Sequence, residues 1–256
     1  MSRDQQSFSM SDPRTQTPND REFASAMDAY FTSSVGSNVD KLRNFSKFVP
    51  RQSLSLFLAK HEIFKQVVGV HGHMIECGVF LGGGLMTWAQ LSAIYEPVNH
   101  TRRIVGFDTF AGFPAIGDKD RGREISYSEP GGLAAHAKDD LAECIRLYDL
   151  NRTVGHVQRV ELVVGDATTT IPTYVKENPH LVVALLYLDF DLFEPTKAAL
   201  EAFLPRMPKG AVLAFDELDQ SNWPGETQAV LEAVGIRNIR IQRFPFTPQL
   251  SYALLE

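Results

Sequence analysis

Leu181-Val182-Val183-Ala184-Leu185-Leu186-Tyr187-Leu188-Asp189-Phe190-Asp191 is the stretch whose reading decides the fold. From 181 to 188 no residue carries a charge, and both alternating faces of an extended chain are apolar. A strand with two apolar faces must be covered on both, as in a parallel sheet with helices on either side. Two carboxylates then follow at once, at the end where such a strand opens toward a ligand.

The same grammar holds outward from this strand. Downstream, residues 195–204 read as a helix, 211–215 as a strand and 226–234 as a helix. Residues 239–244 and 251–255 read as a closing pair of strands. Upstream, strands fit residues 74–79, 104–107 and 160–164, and helices fit 85–95, 133–150 and 171–176. Strands alternating with helices predict parallel βαβ units, hence an α/β fold with a doubly wound, mostly parallel sheet. Ahead of it a helix fits residues 54–68, with Leu54, Phe57, Leu58, Phe64, Val67 and Val68 near 3.6 spacing. A helical pattern begins at Phe23 and continues through Met27, Tyr30 and Phe31. Residues 1–22, rich in Ser, Asp, Gln, Arg, Thr and Pro, read as a flexible tail or an arm that orders against a partner subunit. The expected organisation is that tail, then one domain over residues 23–256 with an N-terminal helical extension, in a homo-oligomer.

Composition narrows the function classes. The 256 residues are 44% hydrophobic and 22% charged, enough apolar surface for a large core without staples. A formal net charge of −6 implies no broad positive field, so nucleic acid is not an expected partner. Cys77 and Cys144 are too far apart in sequence to suggest a disulfide framework or a zinc knuckle. The run at 181–188 is too short to span a membrane, and Met1-Ser2-Arg3-Asp4 opens no apolar signal core. A soluble cytoplasmic protein is expected.

Function is then sought at the carboxyl ends of the strands. The first carries Glu76-Cys77-Gly78-Val79-Phe80-Leu81-Gly82-Gly83-Gly84. The second ends in Asp108, the third in Gly165-Asp166-Ala167, the fourth in Asp189-Phe190-Asp191 and the fifth in Asp216-Glu217. Glycines let a backbone turn sharply and approach a ligand. Taken alone, the glycine loop is equally a tight strand-to-helix turn, and Phe80 stands where the dinucleotide fingerprint needs its second glycine. Glu76 would repel a pyrophosphate and suits a cofactor bearing an ammonium and a sulfonium. Asp108 suits two ribose hydroxyls, although a turn or cap aspartate is its plainer reading. Glu76, Gly78, Gly82, Gly83 and Asp108 together describe a cofactor with an adenosine and an amino-acid end, as in S-adenosylmethionine. Thr109 and Phe110, and Asp166 and Ala167, stand beside that site, with Phe110 a possible adenine platform.

Asp189, Asp191, Asp216 and Glu217 form a second constellation. Carboxylates crowd together only when some are protonated or a cation sits among them. Hard oxygen ligands favour Mg²⁺ or Mn²⁺, with Asp189, Asp216 and Glu217 as candidate ligands. The plainer reading has Asp191 capping a helix and Glu217 solvated.

Four motifs together resemble one family. They are Glu76-x-Gly78-x-x-x-Gly82-Gly83, Gly106-Phe107-Asp108-Thr109-Phe110-Ala111-Gly112-Phe113-Pro114, Leu188-Asp189-Phe190-Asp191-Leu192-Phe193-Glu194-Pro195-Thr196 and Phe215-Asp216-Glu217. The chain is similar over residues 45–245 to the macrocin O-methyltransferases, and within them to the dTDP-6-deoxy-L-hexose 3-O-methyltransferases of natural-product pathways. The resemblance implies a Rossmann-like class I methyltransferase fold and methylation of a sugar hydroxyl on a nucleotide sugar or glycoside, with S-adenosylmethionine and Mg²⁺. By carry-over Asp189 is both a metal ligand and a candidate base. The chain departs from the family's paired aspartates at Glu217, and from its L-D-G-D motif at Phe190.

Other candidates have two readings. His136, after the Gly/Pro-rich connection, is a second candidate base or an ordinary helix histidine. Arg121-Gly122-Arg123 would pair with a diphosphate or stand as solvated loop charges. His71-x-His73 reads as loop, Leu85 and Trp88 as core, and Cys77 as a small buried residue. A phosphotransferase or phosphatase built on Asp189-x-Asp191 would want a hydroxyl at Phe193 and would leave the glycine loop idle. A nicotinamide oxidoreductase is disfavoured by the glycine spacing.

Overall fold

The structure, a computed structural model, describes residues 17–122 and 128–256. The described chain divides into two compact units, the residues up to Leu54 and Ser55–Glu256.

In the first unit, helix α1 (Pro18–Ser33) starts five residues ahead of the expected Phe23. The cause is local. Thr17 and Asp20 bond each other reciprocally as a capping box, and Pro18 occupies the first helical position, where a missing N–H is harmless. Ser37 and Asp40 repeat the device at the start of α2 (Asn38–Arg43). Tyr30 and Phe31 pack on Phe48, with ring centroids 5.6 and 5.2 Å away. Helix α3 (Arg51–Val67) begins in this unit and continues into the next.

The second unit is a seven-stranded sheet. In chain order it runs β1 (His73–Cys77), α4 (Gly83–Tyr95), β2 (Ile104–Asp108), α5 (Lys138–Leu150), β3 (Val160–Val164), α6 (Ala167–Glu177) and β4 (Val183–Leu188). Then follow α7 (Phe193–Phe203), β5 (Val212–Phe215), α8 (Pro224–Ala233), β6 (Gln242–Phe244) and β7 (Thr247–Leu254). The spatial order is β3-β2-β1-β4-β5-β7-β6. The first five are parallel, β7 runs antiparallel to β5, and β6 antiparallel to β7.

Alternate residues of each strand feed the two cores, as the period of 2 requires. Met74, Ile104, Leu185 and Val212 pack with Phe64, Trp88 and Tyr148 on one face. Ile75, Val105, Leu186 and Leu213 pack with Ile171, Leu200 and Val230 on the other. Every residue of β4 is buried, as a strand apolar on both faces demands.

Helix α5 is shorter than the expected 133–150. Leu133 and His136 sit at φ +57° and +48°, outside the helical region. Backbone bonds from Gly131 to Phe113, from Phe113 to Gly132 and from His136 to Phe110 hold this stretch as a loop. The helix starts only at Lys138, with Asp139 and Asp140 in its first turn. Among the described residues no helix is long and apolar enough to cross a membrane.

Backbone bonds continue past the strands and level their carboxyl ends. Gly165 N–H donates to Asp108, Gly78 to Phe107, Asp189 to Cys77 and Asp216 to Leu188. The chain order reverses between β1 and β4, so this edge has the crevice where open α/β sheets take their ligands.

Candidate active site

Gly78 follows β1 directly at φ +96°, and a Cβ there would fall 1.9 Å from the Asp189 carbonyl oxygen. Only glycine allows the β1 and β4 ends to approach this closely. The chain then turns through Phe80 at φ +49° and Gly82 at φ +87°, the residue that starts α4. Space opens beyond Gly83, where a Cβ would meet nothing within 4 Å.

Asp108 closes this turn from the neighbouring strand. Its Oδ2 accepts from Val79 N at 2.7 Å and Phe80 N at 2.8 Å, and its Oδ1 from Phe110 N at 2.6 Å. A carboxylate has about four acceptor positions, so roughly one is left for a ligand hydroxyl. Thr109 Oγ1 donates to Gly112 O at 2.7 Å, and Phe110 is buried against the core at φ +54°. Asp166 caps α6, its Oδ1 accepting from Thr168 N at 2.9 Å and Oγ1 at 2.7 Å, with Ala167 buried behind it.

Glu76 lies deeper than an exposed ligand contact. It is 1% exposed, and a Cβ on Gly84 would fall 2.1 Å from its Oε1. Lys60 Nζ stands 3.8 Å from Oε1. Oε2 and the Trp88 indole N–H face each other without a hydrogen bond of normal geometry, close enough for the indole to favour the carboxylate slightly. Burial, partly offset by Lys60, pushes the Glu76 carboxyl up to about 7.

The acidic side gathers more groups than the sequence indicates. Asp189, Asp191, Asp216 and Glu217 stand at the β4 and β5 ends, Asp191 in the left-handed region at φ +64°. Glu226, in the first turn of α8, joins them. It is fully buried, its Oε1 accepts from Glu217 N at 3.1 Å, and its Oε2 is unpartnered. Burial and mutual repulsion raise this set. Asp189 is pushed well up by burial and then by Asp216 and Asp191, Asp191 by burial and then Glu217, and Glu226 by burial and then Asp216. Glu217 rises to about 7 by burial and the Asp216 charge. Tyr187 donates its hydroxyl to Asp216 Oδ1 at 2.5 Å. Among the described residues no three His, Cys, Asp or Glu side chains gather at metal-ligand spacing.

The connection from β2 to α5 is fastened beside this set. Asp120, 2% exposed, accepts from Phe193 N at 2.6 Å and Gly117 N at 2.8 Å. Phe113 and Ile116 pack on Leu192 and Trp223. No motif signals Asp120, because its partner Phe193 is remote in sequence.

His136 is exposed on the loop beside Phe110, its backbone N–H donating to the Phe110 carbonyl. Arg121 is exposed and pairs with Asp118 at 3.3 Å, while Arg123 lies outside the described residues. His73 starts β1 at the opposite edge, so it is remote from the site. Leu85, Trp88 and Cys77 are core, as expected.

The arrangement offers a glycine turn for an extended ligand, beside buried carboxylates for proton transfer or cation binding. The chain is similar to known proteins. The family model described as macrocin-O-methyltransferase (TylF) matches residues 50–240. A crystal structure of CalS11, a calicheamicin methyltransferase, is 37% identical over 97% of this chain and 98% of that one, with a TM-score of 0.89. An apo structure of CalS11, described as a TDP-rhamnose 3'-O-methyltransferase of calicheamicin biosynthesis, has a TM-score of 0.81 at 37% identity, over 93% and 95% of the two chains. A tetracenomycin rhamnosyl 4'-O-methyltransferase of Streptomyces olivaceus is 27% identical over 58% of this chain, and that match spans 54% of the relative's length. With the matched model running from α3 to the end of the last crossover, through the glycine turn and every acidic strand end, the chain belongs to the macrocin O-methyltransferase family.

Proposed function

We propose that the chain transfers the methyl group of S-adenosylmethionine to a hydroxyl of a deoxyhexose, carried as a nucleotide sugar such as TDP-rhamnose or as a glycoside. The observation that carries this is the Gly78–Asp189 contact, which sets the donor's turn directly against the acidic strand end. The near full-length likeness to CalS11 supports the sugar class.

In this reading Gly83 gives the donor room, and Asp108 spends its remaining acceptor position on a ribose hydroxyl. Asp166, Thr109 and Phe110 border the adenosine end. Transfer needs the acceptor oxygen in line with the sulfonium methyl, so orientation supplies much of the rate. Asp189 takes the hydroxyl proton as the oxygen–carbon bond forms and the sulfur–carbon bond breaks.

The donor set also fits a hard divalent cation. Glu226 Oε2 is buried without a partner, and the acids repel one another. Mg²⁺ keeps several waters and needs only one or two carboxylates. Asp189 and Asp216, the carboxylates that end β4 and β5, would be the two that hold Mg²⁺ or Mn²⁺, since among the described residues no third His, Cys, Asp or Glu stands with them at metal-ligand spacing. A bound cation there lowers the pKa of the acceptor hydroxyl and fixes its direction.

Thermal shift with S-adenosylhomocysteine, NAD and a nucleotide sugar in parallel tests the reading. Stabilisation by S-adenosylhomocysteine and the nucleotide sugar is expected. Stabilisation by NAD alone overturns it.

A further inference from the structure

Lys60 belongs to none of the strand ends or motifs, yet it is buried to 5% exposure in the middle of α3. Its ammonium lies 3.8 Å from Glu76 Oε1, 3.8 Å from the centroid of the Tyr187 ring and 5.0 Å from that of Trp88. A lysine is almost never fully buried unless paired, and a position that served packing alone would be filled as well by leucine or methionine. Two aromatic faces and one carboxylate make this a built site for a cation.

What the cation supports is also visible. A Cβ on Gly84 would fall 2.1 Å from Glu76 Oε1 and 2.5 Å from Lys60 Nζ. The Lys60–Glu76 pair is therefore the floor on which the first turn of α4 rests. That turn contains Gly83 and follows Gly82 directly. Asp108 clamps the turn from the other side through Val79 and Phe80.

We propose that Lys60 is a positioning residue for the methyl donor: through Glu76 it holds the Gly82–Gly84 turn in the shape that accepts S-adenosylmethionine. This rests on the methyltransferase reading. Lys60 acts through Glu76 and the turn, not by touching the reacting atoms. Its loss should affect donor binding and leave acceptor binding alone.

The experiment measures S-adenosylhomocysteine affinity by calorimetry, and KM for each substrate, in wild type, Lys60→Met, Glu76→Gln and the Lys60→Met/Glu76→Gln double variant. Lys60→Met should raise Kd and the donor KM by about tenfold or more, the scale for losing a partner to a charged group. The acceptor KM and the circular-dichroism spectrum should stay as in wild type. If Lys60→Met fails to fold, the double variant is read against Glu76→Gln alone: a residue that acts through Glu76 adds no further donor-side loss there, and an added loss overturns the proposal. Wild-type affinity in a folded variant overturns the role of Lys60 and leaves the methyltransferase reading standing. A wild type that binds no S-adenosylhomocysteine overturns both.

Discussion

The Tyr187 hydroxyl donates to Asp216 Oδ1 at 2.5 Å, from a strand residue that is 1% exposed. Burial and then the Asp216 charge push the Tyr187 phenol well above its usual range, so it remains a donor. The bond fixes the carboxylate of a candidate cation ligand from behind. Tyr187→Phe keeps the ring under Lys60 and removes only the bond. Mn²⁺ affinity, read by electron paramagnetic resonance, should fall by roughly 10–100-fold, the range for partners that orient metal ligands. S-adenosylhomocysteine affinity should not change. Equal Mn²⁺ affinity in both proteins would show that Tyr187 does not orient a ligand.

Asp108 ties three backbone N–H groups of two loops, so its removal should act on the fold and the site together. Asp108→Ala should lower S-adenosylhomocysteine affinity by about 1–3 kcal/mol, the cost of stranding partners of a charged group. The melting temperature should fall with it, by roughly 2–4 °C per kcal/mol for a chain of this size. Calorimetry and a melting curve check both. A lower melting temperature with unchanged affinity would make Asp108 a loop clamp alone.

Gly78→Ala has a sharper expectation. The new methyl would collide with the Asp189 carbonyl, in a backbone conformation that alanine resists. The β1 and β4 ends would have to separate. Activity should be lost, and soluble yield should fall; Gly83→Ala, which meets open space, is the matched control expected to fold. A fully active Gly78→Ala would contradict the close approach.

Glu76 gives the apoprotein a pH signature. Its carboxyl holds a proton up to about 7 when folded and to about 4.5 when unfolded. Between those values the folded state binds the extra proton, so stability falls as pH rises. The Glu76 contribution is full below 4.5 and is lost as pH passes 7, on the order of 3 kcal/mol in all. Asp189, Asp191 and Glu226, also raised, add slope of the same sign. Urea midpoints measured from pH 5 to 8 should decline, and Glu76→Gln should flatten the decline. A rise over that range would contradict the burial of these acids.

The parallel part of the sheet is legible because each of its five strands is a short, mostly apolar run that ends in glycine or a carboxylate, as at 181–191 and 104–108. The strand-end acids were legible for the same reason. The 133–137 stretch was not, since Leu133, Ala134, Ala135 and Ala137 are good helix formers. Tertiary bonds to Phe110 and Phe113 overrode that propensity. Glu226, Asp120 and Lys60 were invisible because their partners, Glu217, Phe193 and Glu76, come from other elements. Glu76 stands at a strand end that the sequence marks, but its burial under Gly84 comes from packing between elements that no local pattern signals.

Mass spectrometry of TDP-rhamnose incubated with the protein, S-adenosylmethionine and Mg²⁺ tests the central claim most directly. The account predicts one added methyl on the sugar, and none with Asp189→Asn. Unmodified sugar from folded wild-type protein that binds both substrates would contradict it.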